Sequence, residues 1–225
     1  YKYAKRPFGN KLAPIEPIFD WIGDDSEEDL SHLTRKRPEF PEELLSPPGM
    51  VGAIQRWIDS RNFRYVPVFS LAAALAAVSA VIGRRVEGPF GIRPNLFIYV
   101  LARTGMGKDE PRNCINELLY AAGAGKICEV EKVTSAAAIE RSVGEYPTRL
   151  FMVDEAGQNM KISRGRNAGS HLAEVAPLMM ELFSSSNKLF KGKTYADGKS
   201  REQVLVMEPN VCTFFTTTER VFLAQ

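Results

Sequence analysis

The sequence predicts an α/β fold built on a parallel sheet, and two observations carry this prediction. Apolar segments rich in β-branched and aromatic residues recur at 95–102, 149–153 and 211–215, as expected of strands buried on both faces. Segments with helical periodicity lie between them. Strands that alternate with helices favour βαβ crossovers, so we expect a doubly wound layer with helices on both faces of the sheet.

Composition limits the possible functions. The 225 residues are 44% hydrophobic, and 29 Lys and Arg against 27 Asp and Glu give a formal net charge of +2. A nearly neutral chain excludes a histone-like polycation, so any contact with nucleic acid must come from a local basic patch. Three widely spaced cysteines and two histidines argue against a disulfide framework or a zinc site, and indicate a reducing compartment, the cytoplasm.

The first part of the chain divides into two segments. Residues 1–48 contain seven of the 14 prolines and are predicted to be a linker or N-terminal arm, with short helices near 18–22 and 42–45. Residues 49–93 are predicted to be a helical lead-in. Its first helix would present one apolar face, formed by Val51, Ile54, Trp57 and Ile58.

An Ala-rich helix is predicted at 66–82, and we expect it to be buried. Pro67 and two serines interrupt this apolar stretch, which is too short for a membrane span of roughly 20 residues, so no membrane association is expected. Gly83 and the two arginines that follow are typical of a helix C-terminus.

Residues 94–225 are predicted to be the main domain, which the sequence presents as C-terminally incomplete because it stops at Gln225, shortly after the last predicted strand. Thr134 or Ser135 is expected to cap the helix that begins near Ala136. The predicted elements are, in order, a strand at 95–102, a helix at 114–122, a strand at 127–133, a helix from 136, a strand at 149–153, a helix at 172–183, a hairpin and a strand at 211–215.

The segment ARTGMGKD follows the first strand of the main domain. It approximates the phosphate-binding pattern G-x-x-x-x-G-K-[ST], with Ala102 in place of the first glycine and Asp109 in place of the hydroxyl residue. A carboxylate is also a hard oxygen ligand, so we expect Asp109 to bind Mg²⁺. The predicted nucleotide-binding residues are Ala102, Arg103, Thr104, Gly105, Met106, Gly107, Lys108, Asp109 and Glu110.

A second element has the form of a Walker B segment. LFMVDE is an apolar strand that ends in two adjacent carboxylates. The first, Asp154, is predicted to hold Mg²⁺, and the second, Glu155, to orient and deprotonate the attacking water. Lys108 and Glu155 are therefore the predicted catalytic residues. The last strand ends in threonines, of which Thr216 or Thr217 is predicted to sense the γ-phosphate.

These motifs give the sequence a resemblance to a known family. PEFPEELL, the Ala-rich helix, PNLFIYVLARTGMGKD, LFMVDEAG and PNVCTFFTTTE together resemble the P-loop domain of phage and prophage replication proteins of the primase-helicase kind. The resemblance implies a RecA/AAA-like P-loop ATPase that forms a homo-oligomer, a ring, acts on DNA in the host cytoplasm and works with a primase domain or partner. It would use ATP as substrate and Mg²⁺ as cofactor.

A basic hairpin is predicted before the last strand. Asp197-Gly198 is a two-residue turn signal, and the flanking segments can pair. We expect this hairpin to bind single-stranded DNA through Lys191, Lys193, Lys199 and Arg201. Two alternatives to a helicase-like DNA motor remain open at this point, a P-loop phosphotransferase and an ATP-dependent assembly or packaging protein.

Overall fold

A computed structural model describes residues 41–128, 135–156, 174–194 and 203–218, which belong to a compact unit that starts at Pro41. Its helices are α1 (Gly49–Arg61), α2 (Pro67–Ile82), α3 (Asp109–Ala121), α4 (Ala136–Glu145) and α5 (Val175–Ser184). Its strands are β1 (Phe97–Leu101), β2 (Thr148–Val153), β3 (Leu189–Lys191), β4 (Leu205–Met207) and β5 (Asn210–Thr217). Short 3₁₀ helices lie at Glu42–Leu45, Pro89–Gly91 and Gly125–Ile127.

The expected mixed α/β fold with a parallel sheet is confirmed. Three strands pair in the order β1-β5-β2, and both pairings are parallel. The last of these strands in the sequence therefore lies between the first two. A separate antiparallel pair, β3 and β4, forms the predicted hairpin, and its expected turn at 197–198 lies outside the described residues.

Helices cover both faces of the sheet because its strands are apolar on both sides. Leu150 and Phe214 face the core formed with α1, α2 and α3. Phe151 and Val211 belong to a second core, which is formed with α4, α5 and the hairpin. Successive residues of one strand thus enter opposite cores, as the period of two in a strand requires.

Local signals explain the starts of two helices, α2 and α4. Pro67 occupies the first turn of α2, where its missing N–H is not needed. Ser135 caps α4, since its hydroxyl accepts a hydrogen bond from the backbone N–H of Ala138 at 3.2 Å.

Among the described residues, no helix is long and apolar enough to cross a membrane.

One predicted strand is wrong where it can be compared with the structure. The strand expected at 127–133 does not begin at Ile127, which instead ends the 3₁₀ turn Gly125–Ile127. Ile127 and Cys128 are buried against α3 and the sheet, so their apolar character reflects core packing and not a strand. Residues 129–134, the helix expected at 18–22 and the start of the helix expected at 172 lie outside the described residues.

Gly83 follows α2, and the reason for a glycine here is close packing. Its backbone remains helical, with φ −54°, so no left-handed conformation requires glycine. A Cβ at this position would overlap the side-chain amide of Asn210. That buried amide donates to the carbonyls of Ala80, at 3.0 Å, and Ser79, at 3.4 Å, and so ties the end of α2 to the start of β5.

This contact predicts a coupled pair of substitutions. Gly83→Ala should lower the free energy of unfolding by about 1–3 kcal/mol, because the added methyl group overlaps Asn210. In an Asn210→Ala background the same change should cost nothing, or should stabilise by up to about 1 kcal/mol, because alanine is the better helix former. Urea denaturation of the parent protein, the two single variants and the double variant tests this. Additive losses in the free energy of unfolding would contradict the close packing.

Candidate functional site

The predicted site residues converge at one edge of the sheet. Because β1, β2 and β5 are parallel, their carboxyl ends lie together, and Leu101 of β1 pairs in register with Thr217 of β5. The glycine loop 102–108 leaves from the end of β1, and Asp154 and Glu155 follow the end of β2. In open α/β sheets this edge is where ligands bind.

Lys108 lies at the centre of this edge. Its ammonium Nζ donates to Glu155 Oε1 at 2.7 Å and to Asp154 Oδ1 at 3.2 Å. Its side chain is only 8% exposed, whereas the side chains of the two carboxylates are 36% and 39% exposed. A buried ammonium needs such partners, and here both come from the second motif, the segment LFMVDE at the end of β2.

The site favours the charged forms of Lys108 and Asp154. Burial alone would lower the pKa of the Lys108 ammonium, but its hydrogen bonds to Glu155 and Asp154 hold that pKa above the usual value. Burial alone would raise the pKa of the Asp154 carboxyl, but hydrogen bonds from Thr216 and from the Glu155 N–H, together with Lys108, hold that pKa below the usual value. Both groups are therefore charged throughout the neutral range.

Thr216 is brought into the site, but it does not reach solvent. Its hydroxyl donates to Asp154 Oδ1 at 2.6 Å, and the residue is fully buried. Thr217 is also fully buried, and its carbonyl accepts a hydrogen bond from the N–H of Ala102 at 3.1 Å. The two candidate sensors thus contact the carboxylate and the start of the glycine loop.

The glycine loop depends on two left-handed residues. Gly105 and Gly107 have φ of +78° and +79°, a region that side chains disfavour. Ala102 is buried at the end of β1, and the N–H of Met106 closes a turn on the carbonyl of Arg103 at 3.3 Å. The exposed residues Arg103, Thr104 and Gly105 form the open part of the loop.

Asp109 and Glu110 occupy the first turn of α3, where acidic side chains interact favourably with the helix dipole. Asp109 is exposed. Glu110 lies 3.6 Å from Arg61 of α1 and is thereby part of the contact between these helices. No group of three or more His, Cys, Asp and Glu side chains that could hold a metal occurs in the described part of the chain.

Glu155 has a left-handed backbone, with φ +50°. This conformation is uncommon for residues other than glycine, and it costs about 1 kcal/mol or more. Directly before it, Asp154 Oδ1 accepts the Glu155 N–H at 2.8 Å, which holds the turn. The strained position of a carboxylate beside the Lys108 ammonium is characteristic of functional sites.

The predicted DNA-binding residues are distributed differently. Lys191 is exposed on β3, whereas Lys193 Nζ forms an ion pair with Glu174 Oε2 at 2.6 Å. Lys199 and Arg201 lie outside the described residues. The outward face of the paired strands consists of Lys191 and three apolar side chains, Leu189, Leu205 and Met207.

One segment near the site is not indicated by the sequence. The loop 62–66 between α1 and α2 places Arg64 against the glycine loop, with its Nη1 3.5 Å from Met106 Sδ. Nothing in the local pattern around Arg64 indicates a contact 42 residues away along the chain.

Comparisons of the chain with protein-family models, curated proteins and solved structures found no match. Its function must therefore follow from the chemistry of its own residues.

The hydrogen bond from Thr216 predicts a pH-dependent stability. Thr216→Val should lower the free energy of unfolding at pH 7 by about 1–2 kcal/mol, because the Asp154 carboxylate loses a donor. Because the pKa of Asp154 is lowered by folding, its carboxylate stabilises the folded protein fully when the pH is above the ordinary pKa of Asp, about 4. This stabilisation is lost as the pH falls through the lowered pKa. The difference between the two proteins should therefore shrink below about pH 4.

Thr213→Val is the matched control. Thr213 is on the same strand and buried, but its hydroxyl has no hydrogen-bond partner among the described residues. This substitution should be neutral or stabilising at every pH. Equal, pH-independent effects of the two substitutions in urea denaturation would contradict the role assigned to Thr216.

Proposed function

We propose that this chain binds ATP with Mg²⁺ at the carboxyl edge of its sheet and hydrolyses it. The observation that carries the proposal is the position of Lys108, on a glycine loop between β1 and α3, within hydrogen-bonding distance of both carboxylates that end β2. A lysine on a phosphate loop next to an aspartate and a glutamate is the arrangement that P-loop hydrolases use.

The glycine loop and α3 are suited to bind phosphates. The N-terminal N–H groups of a helix favour anions, and α3 is 13 residues long and begins directly after Lys108. Gly105 and Gly107 give the loop a conformation that exposes its backbone. Lys108 would exchange one carboxylate for a phosphate oxygen, so that it stays paired in both states.

The chemistry of Asp154 fits Mg²⁺. Its carboxylate is ionised, partly exposed and held in place by Thr216, and Mg²⁺ prefers such oxygen ligands together with substrate phosphates. Asp109 is a second candidate ligand because it is an exposed carboxylate at the start of α3. The ion would neutralise charge on the phosphates, and Thr216 would act by positioning Asp154.

Glu155 is the proposed general base. As a water oxygen attacks the terminal phosphorus of ATP, Glu155 would accept a proton from that water. The bond between this phosphorus and the oxygen of the leaving ADP would break. In the structure, Glu155 Oε1 accepts a hydrogen bond from Lys108 Nζ at 2.7 Å. Binding of phosphates to Lys108 would release the carboxylate for this role, which links substrate binding to formation of the base.

We further propose that hydrolysis drives a helicase-like DNA motor in the replication of a phage or mobile element, as a ring-shaped homo-oligomer. The position of the hairpin supports this proposal. Only two residues separate β4 from β5, and Thr216 of β5 donates a hydrogen bond to Asp154. A displacement of the hairpin by DNA would therefore reach the carboxylate along one strand. The resemblance to primase-helicase proteins supports the same proposal.

Substitutions at the site separate binding from hydrolysis. Lys108→Ala should weaken ATP binding about 10- to 150-fold, because it removes a charge-assisted hydrogen bond worth roughly 1.5–3 kcal/mol. Glu155→Gln should leave ATP affinity within a few-fold but slow hydrolysis by about 10²- to 10⁴-fold. Calorimetry and phosphate release measure these effects.

Glu145→Gln is the control, because Glu145 is exposed at the end of α4, before the amino end of β2. It should change neither binding nor hydrolysis. Normal hydrolysis by Glu155→Gln would refute the role of Glu155 as the base. ATP consumption that requires a small-molecule acceptor, and not DNA, would instead favour a phosphotransferase.

Single-stranded DNA binding should depend on the lysines of the hairpin. Combined replacement of Lys191, Lys193 and Lys199 by Ala should weaken binding and reduce the slope of log affinity against log salt by about 0.7 for each phosphate that is no longer neutralised. Lys126→Ala, at an exposed lysine after α3, should leave both unchanged. An unaltered slope in the triple variant would exclude the hairpin as the DNA-binding element.

A further inference from the structure

The loop 62–66 between α1 and α2 lies against the phosphate loop. A methyl group at Gly107 would lie 3.7 Å from the Cβ of Arg64. The Arg64 guanidinium approaches the same loop one residue earlier, with Nη1 3.5 Å from Met106 Sδ. Arg64 therefore lies beside the residues that directly precede Lys108.

Contacts at the start of this loop tie it to α2 and α3. Arg61, at the end of α1, forms an ion pair with Glu117 of α3 at 2.9 Å and lies 5.2 Å from the ring of Trp57. Asn62 donates through its side chain to Ser70 of α2 at 3.0 Å. The packing of α1, α2 and α3 thus determines where Arg64 lies.

The Arg64 guanidinium is exposed and has no strong protein acceptor among the described residues. Its one described partner is the thioether of Met106, and sulfur is a weak acceptor. No carboxylate of the described residues lies within ion-pair distance of Arg64, which leaves its guanidinium accessible to an anion. Guanidinium groups match phosphate in shape and charge, and they bind it through two parallel hydrogen bonds.

We propose that Arg64 is a phosphate-binding residue of the nucleotide site, supplied by the helical lead-in of the same chain. This inference rests on the proposed binding of ATP and extends the site beyond the glycine loop. Lys108 is shared by two carboxylates, so a second cation beside the loop offsets the charge that a triphosphate brings. On binding, Arg64 would exchange water and a weak thioether acceptor for a phosphate oxygen.

The test is the affinity for ATP and for inorganic tripolyphosphate, measured by calorimetry or by competition with labelled ATP. Arg64→Ala should weaken the binding of both ligands by about 10- to 30-fold, the lower part of the range for charged hydrogen bonds, because the residue is exposed. Arg64→Lys should recover part of the affinity. Since Arg64 is exposed, its variants should unfold at the same urea concentration as the parent protein.

Arg85→Ala is the matched control. Arg85 is also exposed, but it follows the far end of the 16-residue helix α2, about 24 Å from its start.

Weaker binding of ATP with unchanged binding of tripolyphosphate would place Arg64 on the nucleoside and overturn the inference. Weak binding by Lys108→Ala together with normal binding by Arg64→Ala would overturn the inference alone. If neither variant changes ATP affinity, the proposed nucleotide site fails as a whole.

Discussion

The buried ammonium of Lys108 is the constraint on which the rest of the site depends. Lys108 is 7% exposed and would be strongly disfavoured there without counter-charges. Asp154 and Glu155 provide two, one more than a single ammonium balances. This surplus of negative charge fits the proposed binding of a metal ion, and it keeps Lys108 charged.

The order of the sheet makes this arrangement possible. Because β5 lies between β1 and β2, its Thr216 can reach Asp154 and its Thr217 can hold the start of the glycine loop at Ala102. At its other end, β5 is fixed to α2 through Asn210. One strand therefore connects the hairpin, the helical lead-in and the site, as the proposed coupling between them requires.

Features with a local cause could be predicted from the sequence. The strands at β1, β2 and β5 followed from their continuous apolar character, a cap at Thr134 or Ser135 from the hydroxyl residues before an alanine-rich helix, and the assignment of Lys108, Asp154 and Glu155 to one site from two motifs at strand ends. The 3₁₀ turn at Gly125–Ile127 was missed because a short buried apolar run has no period that distinguishes it from a strand.

Features that depend on tertiary packing could not be predicted. The central place of β5, the bond from Thr216 to Asp154 and the approach of Arg64 to Met106 join residues 42 or more positions apart. The left-handed backbone of Glu155 is likewise imposed by its surroundings, since glutamate has no preference for it.

The most direct test of the proposed site is an experimental structure of the protein with Mg²⁺ and a non-hydrolysable ATP analogue. We expect the phosphates to lie on the loop 102–108, with Lys108 Nζ in contact with them and Glu155 released from Lys108. An analogue bound elsewhere, with the hydrogen bonds from Lys108 to Asp154 and Glu155 both unchanged, would contradict the proposal.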